Sequence, residues 1–201
     1  MEKFQVLFIG NFYVGKTSLL ITYNEGKFPE KNNELFYIDF SKKFQIKNRE
    51  IEIEFEDSIL PESYQEGVIE KYKINKANVI SICFAIDNDH SFEDIETEWI
   101  PKIEENSSNP KIILIGTKID LRNKLKEENQ KLITKEEGIE LAKKINAIKY
   151  FECSSLNQKG IETIFNEIAL ICVGKDRNEQ NKQNEQNEQN EQEMNKKCIL
   201  N

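Results

Sequence analysis

Gly10-Asn11-Phe12-Tyr13-Val14-Gly15-Lys16-Thr17 stands between residues 3–9, rich in the β-formers Phe4, Val6, Phe8 and Ile9, and residues 16–23, which have helical character. A strand, a glycine-bounded loop and a helix opening on Gly-Lys-Thr make the G-x-x-x-x-G-K-[ST] arrangement of a phosphate-binding loop. The residue types account for the chemistry. Gly10 and Gly15 permit a tight backbone path, and the N–H groups of Tyr13, Val14, Gly15, Lys16, Thr17 and Ser18 are expected to turn toward phosphate oxygens at the helix N-terminus. Lys16 adds positive charge, and the Thr17 hydroxyl is a candidate ligand of Mg2+. A chance glycine turn before a helix is the competing reading, and the flanking strand and helix weigh against it. The motif specifies a nucleotide without saying which.

Further along, residues 36–46 and 50–55 alternate, with Ile51, Ile53 and Phe55 on one face and Glu50, Glu52 and Glu54 on the other, and Lys47-Asn48-Arg49 as the hairpin turn. Apolar runs at 79–86 and 112–115 predict two more strands, separated by a helix that Ser91 and Asp94 would open like a capping box. Residues 135–145 predict a helix and 150–153 a last short strand. Ile161, Ile164, Phe165, Ile168, Ala169 and Cys172 recur at helical spacing. Strands alternating with helices give an α/β domain with a mostly parallel sheet covered on both faces.

The 201-residue chain is 38% hydrophobic and 32% charged, enough for one sizeable core. With 28 basic and 36 acidic side chains its formal net charge is -8, so broad attraction to nucleic acid or anionic lipid is excluded and an anionic ligand must be captured locally. The apolar stretches at 78–86 and 111–116 are far too short to span a bilayer, and Met1-Glu2-Lys3-Phe4-Gln5 lacks the pattern of a secretion signal, so a cytoplasmic protein is expected. Cys83, Cys153 and Cys172 lie in apolar runs as small hydrophobes. No cysteine or histidine spacing marks a zinc site, and His90 has no neighbouring ligand.

A second motif selects the base. Thr117-Lys118-Ile119-Asp120 follows an apolar strand, and here the chain resembles the Ras superfamily of small GTPases, in particular its Rho/Rac branch with Thr-Lys-x-Asp at this point. The resemblance implies a six-stranded sheet with five helices that binds GTP or GDP with Mg2+. It implies that Asp120 accepts two hydrogen bonds from the guanine edge, with Leu121 adjoining and the Lys118 stem lying over the base. Adenine offers no such donor pair, so discrimination of about 10⁴ is plausible. Glu152-Cys153-Ser154-Ser155-Leu156 is similar to the family's E-C-S-A-L loop, whose N–H groups would meet the guanine carbonyl, and Phe28 stands where the family places an aromatic against the base. The likeness covers residues 4–173 and includes Trp99-Ile100-Pro101. The loop at 123–131 is shorter than the inserted helix of Rho proteins, which predicts a reduced effector surface there.

Departures cluster where a third phosphate would sit. The resemblance implies a Mg2+-ligating threonine in the first switch, where Leu35 stands, and no threonine occurs between Thr22 and Thr97. The Asp-x-x-Gly-Gln element reads Asp57-Ser58-Ile59-Leu60-Pro61, which keeps a metal-side aspartate and loses the glycine and the glutamine. Pro61 can neither orient water nor donate a backbone proton. Phe12 occupies a position that is usually glycine in the family, where water and a finger arginine must fit. Slow GTP hydrolysis is the expectation, with Glu62 or Ser63 as alternative water holders. The segment Phe36, Tyr37, Asp39 and Phe40 is expected to meet effectors, and exchange factors and GDP-dissociation inhibitors are partners implied by the resemblance. Two other classes stay open: a pseudo-GTPase scaffold with little or no nucleotide switching, and a P-loop kinase or ATPase, which Thr117 to Asp120 disfavours.

From Gly174 the composition changes. Five triplets of the Asn-Glu-Gln or Asn-Lys-Gln type run from 178 to 192 without a large apolar residue, so residues 1–173 are expected to form the domain and 174–201 a disordered tether. A coiled or aggregating Asn/Gln element is the alternative, opposed by the regular charges. Lys196-Lys197-Cys198-Ile199-Leu200-Asn201 fits C-a-a-X, making Cys198 a prenylation candidate, or else an incidental cysteine. One lipid with two lysines predicts reversible association with the cytoplasmic face of a membrane.

Overall fold

β1 (Glu2–Ile9) sends successive side chains to opposite sides, and in the computed structural model each side is the floor of its own apolar layer. The structure describes residues 1–29, 38–58, 66–122 and 131–174. Val6 and Phe8 face α1 (Lys16–Glu25) and the last helix, α6 (Ile161–Cys172), whereas Leu7 and Ile9 face α2 (Glu66–Lys76), the run from α3 (Asp89–Asp94) through a π-helical turn (Ile95–Trp99) to α4 (Ile100–Asn106), and α5 (Lys135–Lys144). With that run counted as one, the described residues hold five helices around six strands, and the domain is α/β as expected.

The sheet order is β2-β3-β1-β4-β5-β6, with β2 (Asp39–Ile46), β3 (Arg49–Asp57), β4 (Val79–Ala85), β5 (Ile112–Thr117) and β6 (Lys149–Glu152). Only the β2–β3 pair is antiparallel, and it turns at Lys47 and Asn48, since Arg49 already pairs with Ile46. The alternation read at 50–55 holds: Ile51, Ile53 and Phe55 are buried, and the central β4 and β5 are buried on both faces. All six apolar positions spaced along α6 are buried, and Tyr23 of α1 stacks on its Phe165 with ring centroids 3.6 Å apart.

Two details differ from the sequence reading. The helix after β4 is capped by Asn88, whose side chain accepts from the Ser91 N–H. Ser91 is buried, donates to Asn88 O and accepts the Ala85 N–H, so it braces the strand end where a cap was expected. The capping box occurs instead at Thr134 and Glu137, at the start of α5. Of the sequence expectations, Leu35, Phe36 and Tyr37, Leu60 and Pro61, most of the short loop after Arg122, and the tail with Cys198 lie outside the described residues.

Gly10 follows β1, Asp57 ends β3, Thr117 ends β5 and Cys153 follows β6, so these motif segments emerge at the carboxyl edge of the sheet. The order reverses at β1, flanked by β3 on one side and β4 on the other, and a crevice opens at such a switch point.

Candidate functional site

Gly10 sets the path of the loop. Its φ is +134°, and a Cβ built there would lie 2.1 Å from Cys83 O, so only glycine lets the chain leave β1 pressed against β4. The loop then turns through Tyr13 at φ 62°, a residue 91% exposed, with the Phe12 and Tyr13 ring centroids 6.5 Å apart. Val14 beneath is buried. Lys16, only 3% exposed, donates to Gly10 O at 2.7 Å and Asn11 O at 2.8 Å, so its ammonium spans the inside of the loop. Ser18 follows on α1, its carbonyl accepting from Thr22 Oγ1. The thiol of Cys83 next to the loop is pushed up to about 12 by burial, against the pull of Lys16, and is therefore an inert packing group.

Beside the loop, Thr17 Oγ1 donates to Asp57 Oδ2 at 2.5 Å, although the two residues are 40 apart in sequence. Asp57 is fully buried, its N–H donates to Asp39 Oδ1 and its carbonyl accepts from Lys73 of α2. Lys73 also pairs with Glu56 at 3.2 Å. Burial lifts the Asp39 carboxyl to about 6, partly offset by Lys73 and the Asp57 N–H. A hydroxyl and a carboxylate in contact at a helix N-terminus form a hard-oxygen donor pair that suits Mg2+.

On the other flank, Asp120 Oδ1 accepts from Ser154 Oγ at 2.5 Å, and Asp120 Oδ2 has no partner among the described residues. The Ser154 N–H donates to Lys159 O, so Ser154 meets Asp120 through its hydroxyl, and Ser155 follows it in the same loop. Thr117 is buried with Oγ1 2.5 Å from Val14 O and 2.9 Å from Phe84 O, a strut between loop and sheet. Lys118 takes φ 59° and pairs with Asp87 at 3.3 Å, while the Leu121 N–H closes a turn on Lys118 O. Phe28 is 41% exposed just beyond α1, on a segment that Gln158 joins to the loop after β6 by donating to Gly26 O at 3.1 Å. Thus all the described candidates stand on one edge, with Phe12 and Tyr13 facing outward.

Sequence reading missed Arg122 and Glu152 as a pair. The guanidinium grips Glu152 with two bonds of 2.6 Å, and Tyr150 adds a third of 2.9 Å. Burial alone would raise the Glu152 carboxyl, but bonds from Arg122 and Tyr150 outweigh it and hold the group below its ordinary range. The fork ties the turn carrying Asp120 to the strand that delivers Ser154. The one sequence signal was an arginine two residues past Asp120.

The family model for Ras matches residues 5–173. GTP-binding protein rho3 of Schizosaccharomyces pombe is 32% identical over 171 residues, covering 84% of this chain and 82% of that protein. A phosphate-loop fold matched along nearly its whole domain, with this relative on the Rho side, leaves one assignment: the chain belongs to the Ras family and is a Rho-like small GTPase.

Proposed function

We propose that this protein binds GTP and GDP with Mg2+ in intracellular signal transduction related to the cytoskeleton, and hydrolyses GTP slowly. The observation that carries the reading is the Asp120 carboxylate, fixed through one oxygen by Ser154 and open at the other, on the same edge as the Lys16 loop. Two donors on a guanine edge match such a carboxylate, and the Ser155 N–H supports the neighbouring carbonyl. Lys118 and Phe28 flank the ring. Gly10, Tyr13, Val14, Gly15 and Ser18 contribute backbone to the phosphates. Thr17 and Asp57 would hold Mg2+, which supplies charge neutralisation at the phosphate oxygens when bound.

Hydrolysis of a terminal phosphate depends on positioning a water and neutralising developing charge. Pro61 has no amide to orient water, Leu60 replaces the flexible glycine, and Leu35 cannot ligate a metal. A ligand shifts a conformational balance only by its differential affinity, so GTP and GDP are read nearly alike. Effectors meet the 35–40 segment, of which Asp39 and Phe40 begin the edge strand β2. Exchange factors and GDP-dissociation-inhibitor-type proteins are the regulatory partners. Residues 1–173 act as the domain and 174–201 as its tether. A prenyl group on Cys198 gives reversible attachment to the cytoplasmic face of a membrane, in keeping with the absence of a membrane-spanning helix among the described residues.

Nucleotide released on denaturing the purified protein tests the core of this reading. Guanine nucleotide supports it, an empty protein identifies a pseudo-GTPase scaffold, and adenine nucleotide refutes it. Single-turnover hydrolysis as fast as that of ordinary Rho proteins would refute slow turnover. A Cys198→Ser variant that partitions into membranes like the parent would refute the lipid anchor.

A further inference from the structure

Asn11, the second residue of the phosphate loop, uses both ends of its side-chain amide on α3 and the π-helical turn. Its Nδ2 donates to Asp94 at the end of α3, and its Oδ1 accepts the Trp99 indole N–H at 2.8 Å, from residues 83 and 88 positions away. The amide orientation is forced, because a carboxylate only accepts and an indole only donates. The same residue presents its backbone carbonyl to the Lys16 ammonium. A chain of contacts therefore runs from α3 and the π-helical turn through Asn11 to the loop's positive charge.

The π-helical turn explains why Trp99 reaches so far. Pro101 has no N–H, and in a regular helix its ring would press on the carbonyl of Thr97. A wider turn relieves that conflict, and the Ile100 N–H donates to Ile95 O, five residues back. Ile95 and Trp99 then both face inward, with Trp99 8% exposed, while Thr97 and Glu98 face solvent.

The geometry points to Asn11 as a positioning residue that couples the phosphate loop to this turn, so that retention of nucleotide depends on the Asp94–Asn11–Trp99 chain. The inference rests on the proposed nucleotide reading and adds to it a specific support for the cradle that no motif contains. It also makes Trp99, the single tryptophan of the chain, a built-in reporter of the loop.

The test is the release rate of a fluorescent GDP analogue from the full chain, with thermal melts alongside. Asn11→Ala removes both bonds and strands a buried indole donor, so release accelerates roughly tenfold to a hundredfold, and Trp99 emission no longer tracks release. Asn11→Asp faces Asp94 with a like charge and also accelerates release. Adding Asp94→Asn restores a donor opposite the new carboxylate and returns release to within about threefold of the parent. Thr97→Ala, on the exposed side of the same turn, leaves the rate unchanged. A parent rate in Asn11→Ala, or no rescue of Asn11→Asp by Asp94→Asn, overturns the inference; if Asn11→Ala fails to fold, the rescue pair decides. A parent that retains no guanine nucleotide overturns the nucleotide reading and this inference together, whereas tight retention with unchanged variants overturns the inference alone.

Discussion

Thr117 Oγ1 lies 2.5 Å from Val14 O, across 103 residues of sequence, so the residue that opens the base motif also holds up the phosphate loop. The two halves of the site are thereby one mechanical unit. Thr117→Val keeps the shape but leaves the Val14 carbonyl without its donor. Stability in urea falls by about 1–2 kcal/mol and GDP release quickens roughly tenfold. Thr117→Ser stays near the parent in both measurements.

Two glycines with positive φ separate steric from conformational cost. Gly10→Ala drives a Cβ to 2.1 Å from the Cys83 carbonyl, and β1 and β4 cannot part without breaking their ladder. A loss of about 3 kcal/mol or more is expected, together with loss of nucleotide binding. Gly26→Ala, at the end of α1 with nothing within 4 Å, costs about 1 kcal/mol from backbone strain alone. Equal melting temperatures for the two variants would contradict the close approach of β1 and β4.

The Arg122–Glu152 fork makes a pH-dependent contribution. Its removal by Arg122→Met leaves the half-buried Glu152 with Tyr150 as its remaining side-chain donor. A cost of about 2 kcal/mol at pH 7 is expected, between that of an exposed and of a buried pair because the Arg122 side chain is 31% exposed. The Glu152 carboxyl is held below its ordinary value of 4.5, so its stabilisation is complete above that value and lost as pH falls through the lower folded value. Denaturation of parent and variant at pH 7 and pH 3.5 should show the gap narrowing on acidification.

Restoring the missing groups tests the account of slow turnover. Leu60→Gly with Pro61→Gln returns a donor for the γ-phosphate and a side chain that orients water. Single-turnover GTP hydrolysis should rise roughly tenfold or more, and further with Phe12→Gly. An unchanged rate would place the defect elsewhere, at Leu35 first.

The Lys16 loop was readable in the sequence because its eight residues are contiguous and their chemistry depends on backbone path more than on distant partners. The strand alternation at Ile51, Ile53 and Phe55 was readable for a similar reason, since a period of two already assigns a face. The Ser91 cap was misplaced by three residues because Asn88 offers the same kind of oxygen, and only the packing of Ser91 under the end of β4 decides between them. Ser154 was read as a backbone donor, yet Lys159 takes its N–H, a pairing that no local pattern announces.

Taken alone, the sequence determined a strand–loop–helix phosphate-loop motif and an α/β alternation, and through its resemblance it singled out Asp120 as the candidate for base recognition, all from residues adjacent in the chain. Tertiary structure decided which side chains support them: Thr117 under Val14, Trp99 and Asp94 on Asn11, Arg122 on Glu152, and Thr17 against Asp57. The reason is geometric. These partners meet only because the order β2-β3-β1-β4-β5-β6 brings separate strand ends to one carboxyl edge, and the pairing of strands remote in sequence leaves no periodic trace along the chain.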